Sequence, residues 1–140
     1  MILGRILALD YGDKKIGVAI SDPMKIIAKP LQIIMNLGYK RVLNEINNLI
    51  KELDIEMIVV GMPITMKNTS SEQTQKVVEF INRLKDDLST DIETYDERLT
   101  SKMAIKSLVM QGIKTGHNKH EIDKTSAAIF LQNYLDDPTK

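Results

Sequence analysis

The stretch RILALDYGDKKIGVAIS, residues 5–21, decides the fold of this chain. It opens with an almost wholly apolar run, residues 5–9, which predicts a strand buried on both faces. Asp10 ends this run, and a second apolar run, residues 16–20, follows a turn that contains Gly12. Two such runs joined by a short turn predict a hairpin. Because a carboxylate at the inner end of a core strand is costly without a compensating charge, we expect a cation or a metal ion beside Asp10.

The rest of the chain alternates between strand and helix patterns. A third apolar run, residues 26–34, contains Pro30. Because proline has no backbone N–H to donate to a neighbouring strand, this run predicts an edge or bulged strand. Helical crossovers between the later strands imply parallel pairing. The sequence therefore predicts an α/β fold: a mixed five-stranded sheet with an antiparallel three-strand meander and helices on both faces. Apolar periodicity, short apolar runs and capping residues predict the later elements: a helix over 40–53, a strand over 57–61, a helix from about 71 to 88, a strand over 92–95, and helices over 101–110 and 119–135.

Length and composition narrow the class of protein. A chain of 140 residues predicts a single domain, residues 1–140. The absence of cysteine excludes disulfides and thiolate zinc sites, and no apolar stretch approaches the roughly 18 residues of a membrane helix. We therefore predict a cytoplasmic protein with no membrane partner. The formal net charge is zero, but residues 1–40 and 98–124 carry net charges of +3 and +4 and also hold candidate site residues.

Three acidic residues lie where catalytic groups are expected. Asp10 ends the first strand, Glu97 follows the last predicted strand, and Asp123 lies in the first turns of the last helix. Strand ends in open α/β sheets line the crevice in which ligands bind. The spacing i, i+4, i+7, i+11 places four residues on one face of the helix: Asp123, Ala127, Phe130 and Tyr134. Apart from Asp123, the residues on this face are apolar or small. That face is expected to pack against the sheet.

The residue types leave two interpretations of these acids. Three carboxylates that meet would repel one another unless a cation neutralised them, and Mg²⁺ or Mn²⁺ prefers such oxygen ligands. Taken singly, each acid also fits an ordinary turn, surface ion pair or helix start. His117 and His120 raise a third possibility, a zinc site, but their spacing is more typical of a solvated loop.

Several motifs, in order along nearly the whole chain, resemble those of the YqgF (RuvX) family of RNase H-like nucleases. They are Asp10-Tyr11-Gly12, Ile16-Gly17-Val18-Ala19, Ser21-Asp22, Gly61-Met62-Pro63, Asp96-Glu97-Arg98-Leu99-Thr100-Ser101, Asp123-Lys124 with Ala127-Ala128, and Leu131-Gln132. The resemblance implies a RuvC-type variant of the RNase H-like fold. It implies that Asp10, Glu97 and Asp123 are catalytic and coordinate divalent metal. It further implies processing of the 5′ end of pre-16S rRNA in ribosome biogenesis, or resolution of Holliday junctions.

The chain departs from the family pattern at three places outside the three acids. Lys15 stands where the family commonly has arginine, which keeps the charge but loses a bidentate phosphate contact. Asn68 replaces an expected glycine and can adopt a left-handed conformation in its place. The loop over residues 114–120 holds two histidines instead of a dense basic run, which predicts pH-dependent nucleic-acid affinity.

These observations lead to one hypothesis: a metal-dependent endonuclease of the two-metal-ion type, with Mg²⁺ or Mn²⁺ as cofactor. The expected partner is nucleic acid, either structured RNA such as pre-16S rRNA or branched DNA. We expect recognition by shape and backbone, because few aromatic residues are available for an extended stacking platform. The chain is expected to be a monomer or a weak homodimer. The residues predicted to hold the nucleic-acid backbone are Lys15, Asn68, Ser71, Arg98, Lys114 and Lys119.

Two alternatives belong to other functional classes. An actin-like kinase or phosphohydrolase also begins with an acid-glycine hairpin, but it needs two related halves, and this sequence has no Gly-rich phosphate loop. A non-catalytic RNA-binding factor in ribosome assembly would keep the fold without cleavage. Nucleotide binding and metal-independent RNA binding, respectively, would distinguish them.

Overall fold

The computed structural model of the chain describes residues 4–62, 72–96 and 119–136. Within these ranges the strands are β1 (Arg5–Asp10), β2 (Lys15–Ser21), β3 (Ala28–Met35), β4 (Ile55–Met62) and β5 (Asp91–Asp96). The helices there are α1 (Tyr39–Leu53), α2 (Glu72–Asp87) and α3 (Lys119–Asp136). The strands and helices predicted over these ranges are confirmed, with small shifts at their ends. The helix predicted over residues 101–110 lies outside the described residues.

The strands form one sheet in the order β3-β2-β1-β4-β5. β2 pairs antiparallel with both β1 and β3, whereas β4 pairs parallel with both β1 and β5. The predicted mixed sheet with an antiparallel meander is therefore confirmed. Because β1, β4 and β5 are parallel, their last residues reach the same edge of the sheet. We call this edge, at Asp10, Met62 and Asp96, the carboxyl edge.

β3 is the outer strand of the meander and carries the predicted irregularity. Pro30 lies opposite Ala19, and the register of the β2–β3 pairing shifts between Val18 and Ala19. A proline is tolerated at such a position because an edge strand pairs on one side only and does not need every backbone N–H for hydrogen bonds to the sheet. The prediction of a bulged edge strand is confirmed.

The two sheet faces are covered by different helices, as the alternation of side chains in β1 shows. Leu7 and Leu9 pack on the face that α1 and α2 cover, whereas Ile6 and Ala8 pack on the face that α3 covers. Helix α2 packs on the sheet through central residues that are buried in the first of these clusters. Those residues are Val77, Ile81 and Leu84.

Helix α3 packs inward through the face that the sequence predicts. Ala127, Phe130 and Tyr134 are all buried. Gln132 joins the helix to the start of β3. Its Oε1 accepts a hydrogen bond from the Ala28 N–H (2.8 Å), and its Nε2 donates to the carbonyl of Ile26, two residues before the strand (2.9 Å). None of the helices in the described ranges is long and apolar enough to cross a membrane.

Ser21 is a buried polar residue that joins the first two strands. Its Oγ accepts a hydrogen bond from the Ile6 N–H (2.8 Å) and donates to the Asp22 carbonyl (3.0 Å). The side chain is fully buried. A serine in the Ser21-Asp22 motif therefore has a structural role, since it satisfies a backbone donor inside the core.

We expect Ser21→Ala to lower the free energy of unfolding by about 1–3 kcal/mol, because the Ile6 N–H would lose its acceptor while remaining buried. Urea denaturation measures this loss. Ser89→Ala is the matched control, because Ser89 is exposed beyond the end of α2. Equal effects of the two substitutions would contradict the structural role of Ser21.

The Asp22 carboxylate organises the loop between β2 and β3. It accepts hydrogen bonds from the N–H groups of Ile27 (2.8 Å), Ile26 (2.7 Å) and Met24 (3.2 Å). These donors favour the charged form and hold the pKa of Asp22 below its ordinary value of 3.8. The second residue of the Ser21-Asp22 motif therefore fixes the path of the chain into β3.

Asp22→Asn should lower the melting temperature at neutral pH, and this difference from the wild type should vanish in acid. A carboxyl group with a lowered folded pKa stabilises the fold above its unfolded pKa, and that contribution is lost as pH falls through the folded value. The difference should therefore close below about pH 4 in thermal melts. Asp86→Asn, at an exposed position on α2, serves as the control. A constant difference down to about pH 2 would contradict the assignment.

Candidate active site

Asp10 lies at the carboxyl edge, as the last residue of β1. By alternation its side chain shares the sheet face of Ile6 and Ala8, the face covered by α3. The residue is half-buried, whereas the four residues before it are fully buried. The fold thus places a carboxylate where the core gives way to the edge of the sheet.

Two glycines flank Asp10 in the sheet. Gly17 is its antiparallel partner on β2, and Gly61 follows Val60, the parallel partner of Leu9 on β4. Neither glycine contributes a side chain beside Asp10, which allows a ligand or another part of the chain to approach the sheet closely. Glycine inside a strand often marks such a close approach. Sequence reasoning used both glycines as motif residues and missed this role, because their contact with Asp10 depends on strand pairing.

Lys15 lies on the same face of the sheet as Asp10. Side chains alternate along β2, so Lys15 points to the same face as Ala19, which packs against α3. Lys15 is two residues away from Gly17, the residue of β2 that pairs with Asp10. Such diagonal neighbours are about 7–8 Å apart, within reach of a lysine side chain. The structure therefore brings the predicted phosphate contact Lys15 to the candidate site.

Two distant elements contact the turn between Asp10 and Lys15. Asn36 donates from Nδ2 to the Gly12 carbonyl (3.0 Å) and from its backbone N–H to the Lys14 carbonyl (2.9 Å). A Cβ at Gly12 would lie only 2.5 Å from the Lys15 carbonyl oxygen, so the turn requires glycine there. Across the turn, Asp13 pairs with Lys76 of α2 at 3.3 Å.

Helix α3 runs antiparallel to the parallel strands, with its N-terminal end toward the carboxyl edge. Near the start of β5, the Tyr134 hydroxyl donates to Glu93 Oε2 (2.5 Å). Near the end of β5, the ring of Phe130 stacks on Tyr95 with centroids 6.4 Å apart. Burial and the neighbouring Glu93 carboxylate raise the pKa of Tyr134 above its usual range, so the phenol stays protonated as a donor.

This direction brings the helical turn of Asp123 toward Asp10. Asp123 precedes Phe130 by seven residues, which is about 10 Å along the helix axis. Val60 pairs with Leu9, so the next residue of β4, Gly61, lies beside Asp10. Gly61 also pairs with Tyr95, so Tyr95 and Asp10 lie at the same height along the strands. The backbone of α3 thus continues past Asp10 toward the space outside the carboxyl edge.

The other predicted site residues lie outside what the structure describes. Among the described residues, no three His, Asp or Glu side chains form a potential metal cluster. The side chains of two of the three predicted ligands, Glu97 and Asp123, lie outside the described part of the chain, so the metal site remains a prediction. The residues affected are Glu97, Arg98, Asn68, Ser71, Lys114, His117 and, for their side chains only, Lys119, His120 and Asp123.

Solved structures define the class of the fold. The chain superposes on Thermus thermophilus RuvC in complex with a Holliday junction substrate with a TM-score of 0.58 and 10% identity, covering 95% of this chain and 96% of that one. Fowlpox virus resolvase in complex with its Holliday junction DNA gives a TM-score of 0.61 and 13% identity, covering 97% and 99%. The protein therefore has the RuvC-type RNase H-like fold, as predicted.

Sequence comparison then identifies the family. A family model described as "RuvX: Holliday junction resolvase" matches residues 4–137. Proteins named "Putative pre-16S rRNA nuclease" from Desulforamulus reducens and Clostridioides difficile are 41% and 40% identical, each over 97% of this chain and over 99% and 96% of their own lengths. A relative of the same name from Sulfurihydrogenibium is 44% identical over 96% of this chain and 91% of its own length. The chain belongs to the RuvX (YqgF) family, which confirms the resemblance.

Proposed function

We propose that this protein is a metal-dependent endonuclease that cleaves phosphodiester bonds in nucleic acid at the carboxyl edge of its sheet. One observation supports this most strongly. The Asp10 carboxylate lies half-buried between Gly17 and Gly61, on the sheet face toward which the N-terminal end of α3 runs. The two glycines contribute no side chain that would obstruct a cation or a phosphate beside this carboxylate.

The proposed metal ligands are Asp10, Glu97 and Asp123. Glu97 directly follows Asp96, the residue with which β5 ends at the carboxyl edge. Asp123 has the helical spacing of residues that pack on that face. Three carboxylates are a donor set suited to Mg²⁺ or Mn²⁺, whose charge would offset their mutual repulsion.

The chain's own residues would bind and orient the scissile phosphate. A bound pair of divalent ions would supply water activation and charge stabilisation at the leaving oxygen. Lys15, two residues from the sheet partner of Asp10, would hold a phosphate oxygen on the same face. Lys114, Lys119 and Arg98 would extend these backbone contacts, which carry no sequence information.

The proposed substrate is pre-16S rRNA, cut at its 5′ end in the cytoplasm during ribosome biogenesis. The names of three relatives at 40–44% identity support this choice. A second candidate, resolution of Holliday junctions, is supported by the description of the family model and by the junction-bound fold relatives. A resolvase needs two sites and therefore a dimer, whereas a monomer suffices to cut one RNA strand.

A direct comparison of substrates tests the proposal. The protein is incubated with a pre-16S rRNA fragment and with a four-way DNA junction, in Mg²⁺, Mn²⁺ or EDTA. We expect metal-dependent cleavage of the RNA, and symmetric cuts in the junction would support the resolvase instead. Tight RNA binding that survives EDTA, with no cleavage in either metal, would reject the nuclease proposal in favour of a binding factor.

A further inference from the structure

A cavity of about 210 Å³ opens beside the hairpin turn, on the sheet face opposite to Asp10. Tyr11 directly follows Asp10 and packs with Leu7 and Leu9 on the α1 and α2 side. Asn36, which holds the turn, follows the end of β3 and also lines the cavity. The cavity therefore lies at the carboxyl edge, separated from the candidate site only by the strand ends.

We propose that this cavity binds one nucleobase of the strand whose backbone passes Asp10. The inference rests on the proposed nuclease function for the identity of that strand. Its volume is below the roughly 300 Å³ at which pockets for drug-sized ligands begin. It therefore suits a single ring system better than a whole nucleoside triphosphate.

Three aromatic residues line the cavity. Tyr11 lies against Phe80 with centroids 4.6 Å apart, and Tyr39 meets Phe80 edge-on at 6.3 Å. Phe80 is buried, whereas the two tyrosines are half-buried and line the opening. Because every base has a π-face, such rings stack with bases of any sequence.

Arg83 adds a second stacking surface. Its guanidinium carbon lies 3.9 Å from the centroid of the Tyr39 ring, a cation–π contact. The Tyr39 hydroxyl donates to Asp87 Oδ2 (2.6 Å), which holds the ring in place. A guanidinium plane held in this way can stack on a base, as arginine does in single-stranded RNA recognition.

The charge at the opening fits the phosphate attached to such a base. Lys76 lines the cavity, and its ion pair with Asp13 is about half exposed on both sides. Exposed pairs of this kind contribute little, so the ammonium group can turn to a phosphate at small cost. The lining holds two cations, Lys76 and Arg83, and one carboxylate, Glu79, so its charged side chains sum to +1. Aromatic rings beside a net positive charge match the chemistry of a nucleotide, which has a flat base and an anionic phosphate.

The position of the cavity favours a strand over a free mononucleotide. Asp10 and Tyr11 are consecutive, about 3.8 Å apart at Cα, and their side chains point to opposite faces of the sheet. A strand that crosses the carboxyl edge would therefore place a phosphate at Asp10 while an adjoining base enters the cavity. A free mononucleotide would gain no such second contact.

Titrations of ¹⁵N-labelled full-length Asp10→Asn protein test the proposal without cleavage. The probes are AMP, ribose 5-phosphate and a short oligoadenylate. We expect AMP to shift amide signals of α2 and of the α1 start at millimolar concentration, ribose 5-phosphate to shift them far less because it has only the phosphate contact, and the oligoadenylate to bind more tightly. Equal shifts with AMP and ribose 5-phosphate, or none with AMP, would overturn base binding. AMP binding more tightly than the oligoadenylate would overturn the assignment to a strand.

Arg83→Ala should weaken oligoadenylate binding roughly tenfold. Arg41→Ala removes the same charge from an exposed position on α1 outside the cavity and should leave binding within about twofold. Equal losses in both variants would mean that charge alone is responsible, which would overturn the proposal. If the nuclease proposal itself fails, cleavage by wild-type protein is absent while this base binding persists.

Discussion

Asp10→Asn is expected to lower the rate of nucleic-acid cleavage by at least about a thousandfold, equivalent to about 4 kcal/mol of transition-state stabilisation. The amide keeps the size and shape of the side chain between Gly17 and Gly61 but removes its negative charge. A neutral side chain would hold a divalent cation poorly, so the site would lose the group on which the proposed chemistry depends. Single-turnover cleavage of a pre-16S rRNA fragment measures the effect.

The same substitution has a second readout that does not require activity. Without metal, loss of one carboxylate relieves repulsion among the acids and should raise the melting temperature. Added Mg²⁺ should stabilise the wild type by mass action but not the variant. A melting temperature of wild-type protein that is unchanged by Mg²⁺ and Mn²⁺ would argue against Asp10 as a ligand.

Asp13→Asn is the matched control for Asp10. Asp13 is exposed in the same hairpin turn, and its ion pair with Lys76 is exposed as well. We expect cleavage to change by less than about fivefold, because exposed ion pairs contribute about 0–1 kcal/mol. Equal loss of activity in the two variants would show that the turn, rather than the Asp10 carboxylate, is sensitive to substitution.

Phe130→Ala is expected to lower the free energy of unfolding by about 3–5 kcal/mol, the largest stability effect that we predict. Phe130 is completely buried between α3 and the sheet, where its ring stacks on Tyr95. Truncation would leave a cavity at the centre of this interface and loosen the helix that carries Asp123. Urea denaturation followed by circular dichroism measures the loss.

Val78→Ala is the control for Phe130, because Val78 is an apolar residue that lies 40% exposed on α2. Its effect should stay within about 0.5 kcal/mol. A similarly small effect of Phe130→Ala would mean that α3 does not pack on the sheet as described. In that case the proposed approach of Asp123 to Asp10 would also fail.

The sequence alone determined the hairpin and the inner face of α3, because both follow from local periodicity. The apolar run before Asp10 predicts that this residue ends a strand, and the prediction does not depend on how the rest of the chain folds. The 3.6-residue period likewise places Ala127, Phe130 and Tyr134 on one buried face. The motifs, which are also local features of the sequence, predicted the family and with it the RuvC-type fold.

Only the tertiary structure decided what surrounds Asp10. Gly17 and Gly61 flank it because β1 pairs with both β2 and β4, and pairing between distant strands depends on long-range packing that local patterns do not encode. The cavity likewise joins residues from β1, α1 and α2 that are far apart in sequence, such as Tyr11 and Arg83. The sequence therefore specified which residue ends the first strand, and packing specified the two glycines beside it and the aromatic pocket on the opposite face of the sheet.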